Sequence, residues 1–232
     1  GLEQRPEPAL VDGDADRAVF SDSHGRLVNG DRTTAIWAAH WRKHGGFDPA
    51  TIVGTVMSNG GFESYAKAQG IQLERTDVGD KYVSRRMEEL GAKVGGEQSG
   101  HIIFSERGPT GDGLVTALEL IRVLKREGRP LASFYDEFEN YPQLLVNVKV
   151  GNKDGWQEND AIRSAISASE ARLAGGRLNV RASGTQPMLR VMGEHPEVAN
   201  RDEAVNHVVK TLIGELGGEV YSTTDLTHSL GE

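Results

Sequence analysis

The chain has 232 residues, and its 26 Lys and Arg against 34 Asp and Glu give a formal net charge of −8. This balance argues against a surface that neutralises nucleic-acid phosphates, while 37% hydrophobic residues suffice for a folded core. Disulfides, thiol nucleophiles and Cys-ligated zinc are excluded because there is no cysteine, and no apolar run reaches the ~18 residues of a membrane span. We expect a cytoplasmic protein with neither nucleic acid nor membrane as partner.

From residue 26 to 130, predicted helices alternate with short apolar strands. The predicted helices begin at Thr33–Thr34 and after Asn59, and then cover 80–90 and 113–126; the predicted strands are 51–57, 71–75 and 101–104. In the last helix, the spacing places five apolar residues on one buried face: Leu114, Ala117, Leu118, Ile121 and Leu124. This alternation predicts an α/β domain with parallel strands.

After a boundary at Asn140–Pro142 the pattern changes. Predicted strands at 144–150, 177–180 and 188–192 are combined with helices at 160–173 and 202–216. Residues 140–232 therefore read as a smaller α+β domain, large enough to fold alone.

An acidic loop lies near the start of the chain. Asp12, Asp14 and Asp16 stand at every second position, separated by small residues, so that their oxygens can face one hard cation. Such a set suits Mg²⁺ in phosphoryl chemistry. The alternative is a solvated acidic turn.

A second polar loop, Gly95–His101 (GGEQSGH), lies between two apolar segments. Glu97, Gln98 and Ser99 offer donors and acceptors for sugar hydroxyls, and His101 can exchange protons near neutral pH. A polar hairpin turn is the competing interpretation.

A third loop, Arg181–Pro187 (RASGTQP), has the composition of a phosphate cradle. Gly184 allows a tight turn with backbone N–H groups facing an anion, Ser183 and Thr185 add hydroxyl donors, and Arg181 adds a bidentate fork, with Arg190 on the next strand. An ordinary β-turn with an exposed Arg is the alternative.

Two further features are interpreted as structural. Thr110–Gly113 opens the predicted helix at 113, where Thr110 or Asp112 can act as the cap. Five other histidines show no ligand spacing and are predicted to be surface or core residues: His40, His44, His195, His207 and His228.

In this order, the three loops resemble those of the α-D-phosphohexomutase superfamily. Asp12–Arg17 (DGDADR) resembles its metal loop, Gly96–His101 its sugar loop and Arg181–Thr185 its phosphate loop. Gln98, together with residues 55–59, 78–83 and 111–118, is similar to the members that act on glucosamine phosphate. The resemblance covers nearly the whole chain and implies an α/β domain of the family's third type at 26–130, followed by the α+β phosphate-binding domain at 140–232.

The resemblance also implies a reaction and roles. A phosphoserine passes its phosphoryl group to glucosamine 6-phosphate, the bisphosphate reorients, and glucosamine 1-phosphate leaves. Mg²⁺ would be the cofactor, held by Asp12, Asp14 and Asp16. The other implied roles are Arg17 beside the phosphoserine, Lys81 and His101 in proton transfer or charge stabilisation, Glu97 and Ser99 on the sugar, and Arg181, Ser183, Gly184, Thr185 and Arg190 on the distal phosphate.

No segment of the sequence matches the family's phosphoserine loop. We therefore expect residues 1–25 to be a remnant of the second domain carrying the metal loop, the N-terminal half of the enzyme to be missing, and this chain alone to be inactive. Two alternatives stay open: a phosphomannomutase or phosphoglucomutase, and a sugar-phosphate-binding fragment without catalysis.

Overall fold

The computed structural model describes residues 9–11, of which only the backbone is considered, 13–184 and 186–230. Within them the chain forms two compact units. Unit one comprises the chain to Glu139 together with the segment from Ser229, and unit two is Asn140–His228. In the part of the chain that the structure describes, no helix combines the length and apolarity that crossing a lipid bilayer requires.

Unit one is built on a four-stranded sheet in the order β5-β4-β6-β7. Its strands are β4 (Thr51–Thr55), β5 (Gln72–Thr76), β6 (Val94–Gly96) and β7 (Ile102–Phe104), and its helices are α1 (Gly30–Lys43), α2 (Gly60–Ala68), α3 (Asp80–Leu90), α4 (Gly113–Glu127) and α5 (Leu131–Tyr135). β4 pairs in parallel with β5 and β6, which confirms the α/β prediction. β7 departs from it, because the short turn from β6 forces antiparallel pairing.

Helix α1 begins earlier than the sequence predicted. Its N-cap is Asn29, whose side chain accepts a hydrogen bond from the backbone N–H of Arg32, whereas Thr33 and Thr34 lie inside the helix and are buried. The correction has a local cause: the Asn29 cap, four residues before Thr33, satisfies the backbone N–H of Arg32, so the helix extends back to Gly30.

The predicted buried face of α4 was correct at Ala117, which is buried, and at Leu124, which packs partly buried against the core, but it was wrong at three positions. Leu114, Leu118 and Ile121 are 63%, 57% and 49% exposed. The helix instead buries the face with Thr116, Ala117, Glu119, Leu120 and Val123. Buried Glu119 is satisfied by the indole N–H of Trp37 at 3.1 Å and by Arg107 and Arg122, which explains how a carboxylate can occupy the inner face.

A small antiparallel sheet precedes the main one, made of β1 (Ala9–Val11), β2 (Ala18–Ser21) and β3 (Leu27–Val28). The sequence had not predicted these short strands. The sheet lies against α4, and its buried Ala18, Phe20 and Val28 join the same hydrophobic core as α1. Residues 18–28 therefore pack into the core of unit one.

Asp22 holds the turn between β2 and β3 together. Its side chain is fully buried and accepts hydrogen bonds from the backbone N–H groups of His24 and Arg26, both at 2.9 Å, and from Arg26 Nε at 2.7 Å. Burial alone would raise the pKa of Asp22, but these hydrogen bonds outweigh it and leave the pKa below 3.8.

We expect Asp22→Asn to destabilise unit one by about 1–2 kcal/mol at neutral pH, because the amide keeps one acceptor and loses the charge-assisted bonds. The carboxylate contributes stability above its unfolded pKa of 3.8, and this contribution is lost as the pH falls through the lower folded pKa. Urea unfolding of variant and wild type at neutral and acidic pH measures both effects. A difference that stays constant into acid would contradict the assignment.

Unit two is a four-stranded antiparallel sheet in the order β11-β8-β10-β9, which carries two helices. The strands are β8 (Gln143–Val150), β9 (Arg177–Ala182), β10 (Met188–Glu194) and β11 (Gly218–Asp225), and the helices are α6 (Asp160–Arg172) and α7 (Val198–Leu216), with a 3₁₀ turn at Trp156–Glu158. Its core lies between α7 and the sheet and contains Val148, Leu189, Val205 and Leu212. The predicted α+β class is confirmed, and β11 is an additional edge strand.

Candidate functional site

The acidic loop and the polar loop, far apart in sequence, meet in unit one. The backbone N–H of Ala18 donates to the carbonyl of Gly100 at 3.1 Å. The N–H of Gly113, at the start of α4, donates to the carbonyl of Ala15 at 2.8 Å. Thr110–Gly113, interpreted from sequence as structural, thus helps to position the acidic loop, and Asp112 is the cap of α4.

His101 links these three segments through its ring. Its Nδ1 lies 3.0 Å from Asp16 Oδ2, and its Nε2 accepts the backbone N–H of Gly111 at 3.2 Å. An Nε2 that accepts must be unprotonated, so the neutral ring carries its proton on Nδ1 and donates it to Asp16. His101 therefore orients a carboxylate.

The acidic loop fits a hard cation at one oxygen. Asp16 Oδ1 is buried and makes no hydrogen bond among the described residues, with Arg17 Nε 3.8 Å away as an ion-pair partner. Asp14 is exposed, as is Arg17. Asp12, the third predicted ligand, lies outside the described residues. One oriented, under-satisfied carboxylate oxygen, with a second aspartate two positions earlier in the same loop, suits a hard cation such as Mg²⁺.

Two glycines permit this close packing. A Cβ on Gly111 would lie 2.5 Å from His101 Nε2, so the ring rests directly against the backbone. Gly100 has φ +92°, and a Cβ there would lie 2.4 Å from the carbonyl oxygen of Ala18. Both positions require glycine for the loops to touch.

We expect Gly111→Ala to destabilise unit one by about 1–3 kcal/mol, because the methyl group would displace the His101 ring and break its contact with Asp16. Gly108→Ala is the matched control, since nothing lies within 4 Å of a Cβ at that position. Thermal unfolding of both variants measures the cost. Equal stability of the two variants would show that the ring moves without penalty.

Glu97 of the polar loop contacts the segment before α3, the helix that carries Lys81. Glu97 Oε1 accepts the backbone N–H of Gly79, one residue before α3, at 2.9 Å, which brings the start of that helix to the loop. Lys81 is exposed in the first turn of α3, with Nζ 4.8 Å from the ring centre of Tyr82. Ser99 is half-buried. Gln98 is 2% exposed, and neither atom of its amide group has a hydrogen-bond partner among the described residues.

The predicted phosphate loop is the hairpin between β9 and β10 in unit two. Arg181 and Arg190 stand directly opposite each other in the antiparallel register, which concentrates two guanidinium groups at the base of the loop. Ser183 is buried, with its N–H bonded to the carbonyl of Met188 at 2.9 Å, while Gly184 is exposed. Thr185 lies outside the described residues.

The sequence reading missed Lys153. Its ammonium group donates to the backbone carbonyls of Ser183 and Gln186, at 3.1 Å for the latter, and so ties both arms of the hairpin loop together. The local sequence does not indicate this role, because the two partners of Lys153 lie 30 and 33 positions further along the chain. It adds a third cation to the loop.

Two family models match the chain, one in each of the two units. Residues 29–141 match the model described as phosphoglucomutase/phosphomannomutase, alpha/beta/alpha domain III, and residues 145–210 match the model of the C-terminal domain of the same family. The first match falls almost wholly in unit one, and the second falls within unit two.

Two curated relatives are described as phosphoglucosamine mutases. The chain is 46% identical over 205 residues to the phosphoglucosamine mutase of Phenylobacterium zucineum, covering 88% of this chain and 44% of that protein. It is 45% identical over 201 residues to the phosphoglucosamine mutase of Thermotoga maritima, covering 87% and 46%. The chain thus spans about half the length of the curated relatives it matches.

Solved structures share the fold. An N-acetylphosphoglucosamine mutase of Aspergillus fumigatus, solved with GlcNAc-6P and magnesium, superposes with TM-score 0.71 at 22% identity, covering 89% of this chain and 52% of that one. A phosphoglucomutase/phosphomannomutase family protein of Burkholderia thailandensis gives 0.71 at 21% identity, covering 91% and 47%.

Proposed function

The chain belongs to the phosphoglucomutase/phosphomannomutase family of α-D-phosphohexomutases, and from this premise we propose that it supplies the metal, sugar and distal-phosphate loops of a phosphoglucosamine mutase. The reaction would interconvert glucosamine 6-phosphate and glucosamine 1-phosphate by phosphoryl transfer through a phosphoserine. No segment of these 232 residues resembles a phosphoserine loop, so we expect the chain by itself not to turn over.

The link from Asp16 through His101 to Gly111 is the observation that carries the proposal. It joins the acidic loop to the polar loop and leaves Asp16 Oδ1 available to a cation. A site that holds a metal next to a sugar phosphate needs both of these features. Asp14 and Asp16, with Asp12, would hold Mg²⁺, which when bound neutralises the charge of a transferring phosphoryl group. Arg17 would add a guanidinium beside that phosphate.

The polar loop would recognise the sugar. Glu97 and Ser99 provide a carboxylate and a hydroxyl, and Glu97 is already oriented by the N–H of Gly79. The buried Gln98 amide has no hydrogen-bond partner in the part of the chain that the structure describes, and it is a further group that a bound polar ligand would satisfy. We propose a positioning role for His101, since both its ring nitrogens are engaged; proton transfer by His101 or Lys81 stays a prediction.

The phosphate loop would hold whichever phosphate is not reacting. Arg181 and Arg190 supply planar donor forks, and Ser183, Gly184 and Thr185 supply the turn with its N–H groups. Lys153 supports this proposal, because its ammonium group binds the carbonyls of Ser183 and Gln186 and adds a positive charge to the loop.

Calorimetry with three sugar phosphates tests the function. We expect glucosamine 6-phosphate to bind more tightly than glucose 6-phosphate or mannose 6-phosphate in the presence of Mg²⁺. Equal binding of all three would favour the phosphomannomutase or phosphoglucomutase alternative, and no binding of any would reject a sugar-phosphate site in this chain. Conversion of glucosamine 6-phosphate by the purified chain, primed with a sugar bisphosphate, would refute its expected inactivity.

A further inference from the structure

Two histidines and a carboxylate meet where α1 and α4 end. His40 Nδ1 lies 2.6 Å from Glu127 Oε1, and His44 Nε2 lies 2.9 Å from the same oxygen. The two rings are adjacent, with centroids 4.5 Å apart. His40 is ten residues, or ~15 Å of helix, from Gly30, whose N–H bonds to the polar loop, so this cluster lies at the other end of α1.

We propose that His40, His44 and Glu127 form a second metal site, which takes a divalent transition ion of the zinc class with water as a further ligand. Among the described residues, their three ligand atoms lie within 4.8 Å of one another. Histidines four positions apart share one helix face, and imidazole with carboxylate is a donor set that zinc prefers and magnesium does not. The proposal is independent of the proposed mutase function.

Small shifts convert the cluster into a coordination sphere. Ligands at ~2.0–2.1 Å from a tetrahedral ion stand about 3.3 Å apart, so each nitrogen must retreat from Oε1 by less than about 1 Å. His44 can do so because its side chain is 50% exposed. His40 is buried, and its ring is held both by packing and by the contact of Nδ1 with Glu127 Oε1, so most of the adjustment falls to His44 and to the Glu127 carboxylate.

Metal binding would replace the hydrogen bonds of the cluster. His40 Nδ1 and His44 Nε2 both face Glu127 Oε1, and each of these nitrogens must be without its proton to bind an ion.

An open pocket gives access to the cluster. Its volume is about 380 Å³, and His40, Lys43 and Glu127 are among its lining residues. It provides an entry path and space for water. Lys43 is the competitor, because its Nζ lies 2.8 Å from Glu127 Oε2. The Lys43 side chain is 64% exposed, although that of Glu127 is only 9% exposed, so the flexible lysine stem can swing into solvent and leave the carboxylate to a divalent ion.

Titration of the purified chain with Co²⁺, in excess Mg²⁺ to occupy the acidic loop, tests the site. We expect one equivalent of Co²⁺ with the intense visible absorption of four- or five-coordinate cobalt, displaced by Zn²⁺. His44→Ala should weaken binding at least about tenfold and Glu127→Gln similarly, whereas Lys43→Met should strengthen it several-fold by removing a positive charge.

Two outcomes would overturn the proposal. One is that no Co²⁺ binds in the presence of excess Mg²⁺, and the other is that His44→Ala leaves the affinity for Co²⁺ unchanged. His207→Ala is the matched control, an exposed histidine on α7 that should bind Co²⁺ as the wild type does. Circular dichroism establishes that the variants are folded. His44→Ala and Lys43→Met alter exposed side chains, so at least one informative variant should fold.

Discussion

Asp16→Asn should lower mutase turnover by about a hundredfold or more when this chain is joined to the N-terminal part of the Phenylobacterium zucineum phosphoglucosamine mutase. The substitution removes the ionised oxygen that we propose as a ligand of Mg²⁺. It also gives the Nδ1–H of His101 a weaker hydrogen-bond acceptor, because an amide oxygen replaces a carboxylate oxygen. Metal ions stabilise transferring phosphoryl groups by several kcal/mol, which sets the size of the effect. Steady-state kinetics at several Mg²⁺ concentrations measure it.

The control is Asp160→Asn, which neutralises an exposed aspartate in the first turn of α6 and should leave turnover unchanged. If Asp16→Asn kept more than a tenth of the activity at low Mg²⁺, the metal assignment would fail.

The same fusion distinguishes the two roles of His101. As a positioning residue, His101→Gln should raise the Mg²⁺ concentration needed for half-maximal rate and leave the shape of the pH profile unchanged. Loss of one limb of that profile would instead identify His101 as a proton-transfer group.

Arg181→Ala should weaken binding of glucosamine 6-phosphate by about a hundredfold, because the Arg fork makes charge-assisted, bidentate bonds to phosphate. Arg181→Lys should recover part of the loss, since the charge remains without the planar fork. Calorimetry with the sugar phosphate measures the loss, and Arg163→Ala, which removes an exposed cation of α6, is the control. Equal affinities for Arg181→Ala and Arg163→Ala would reject the phosphate loop.

Lys153→Met should weaken the same binding by about tenfold, because it removes one charge and frees the loop carbonyls from their common donor. Lys210→Met is its matched control, an exposed lysine on α7. A loss no greater than that of Lys210→Met would show that Lys153 has only a structural role.

Short-range patterns predicted much of this fold. The alternation of helices and strands gave the α/β class and the parallel pairing of β4 with β5 and β6, because each element carries its own periodicity. In α4, however, apolar residues occur on most sides of the helix. The periodicity therefore predicted that the segment is helical but did not predict which of its faces is buried. The edge strand β11 is mostly exposed and therefore shows no alternation to recognise.

The site shows the same limit. The three loops were recognisable because each is a contiguous set of chemical groups. The contact from Asp16 to His101 spans 85 positions, and those from Lys153 to its carbonyls span 30 and 33. From sequence, the histidines were predicted to be surface or core residues without ligand spacing, although His40 and the C-cap His44 stand four positions apart at the end of α1; their third partner, Glu127, is 83 residues beyond His44. Only tertiary structure brings such partners together.

Unit two begins and ends at one place. Asn140 Nδ2 donates to the carbonyl of Thr227 at 2.6 Å, and the N–H of Gln143 donates to Thr227 Oγ1 at 3.0 Å. A module whose entry and exit coincide can be excised, transplanted or circularly permuted without cutting its own strands. In evolutionary terms, such a module can be inherited, exchanged or lost as one piece, with the arginine pair and Lys153 travelling together.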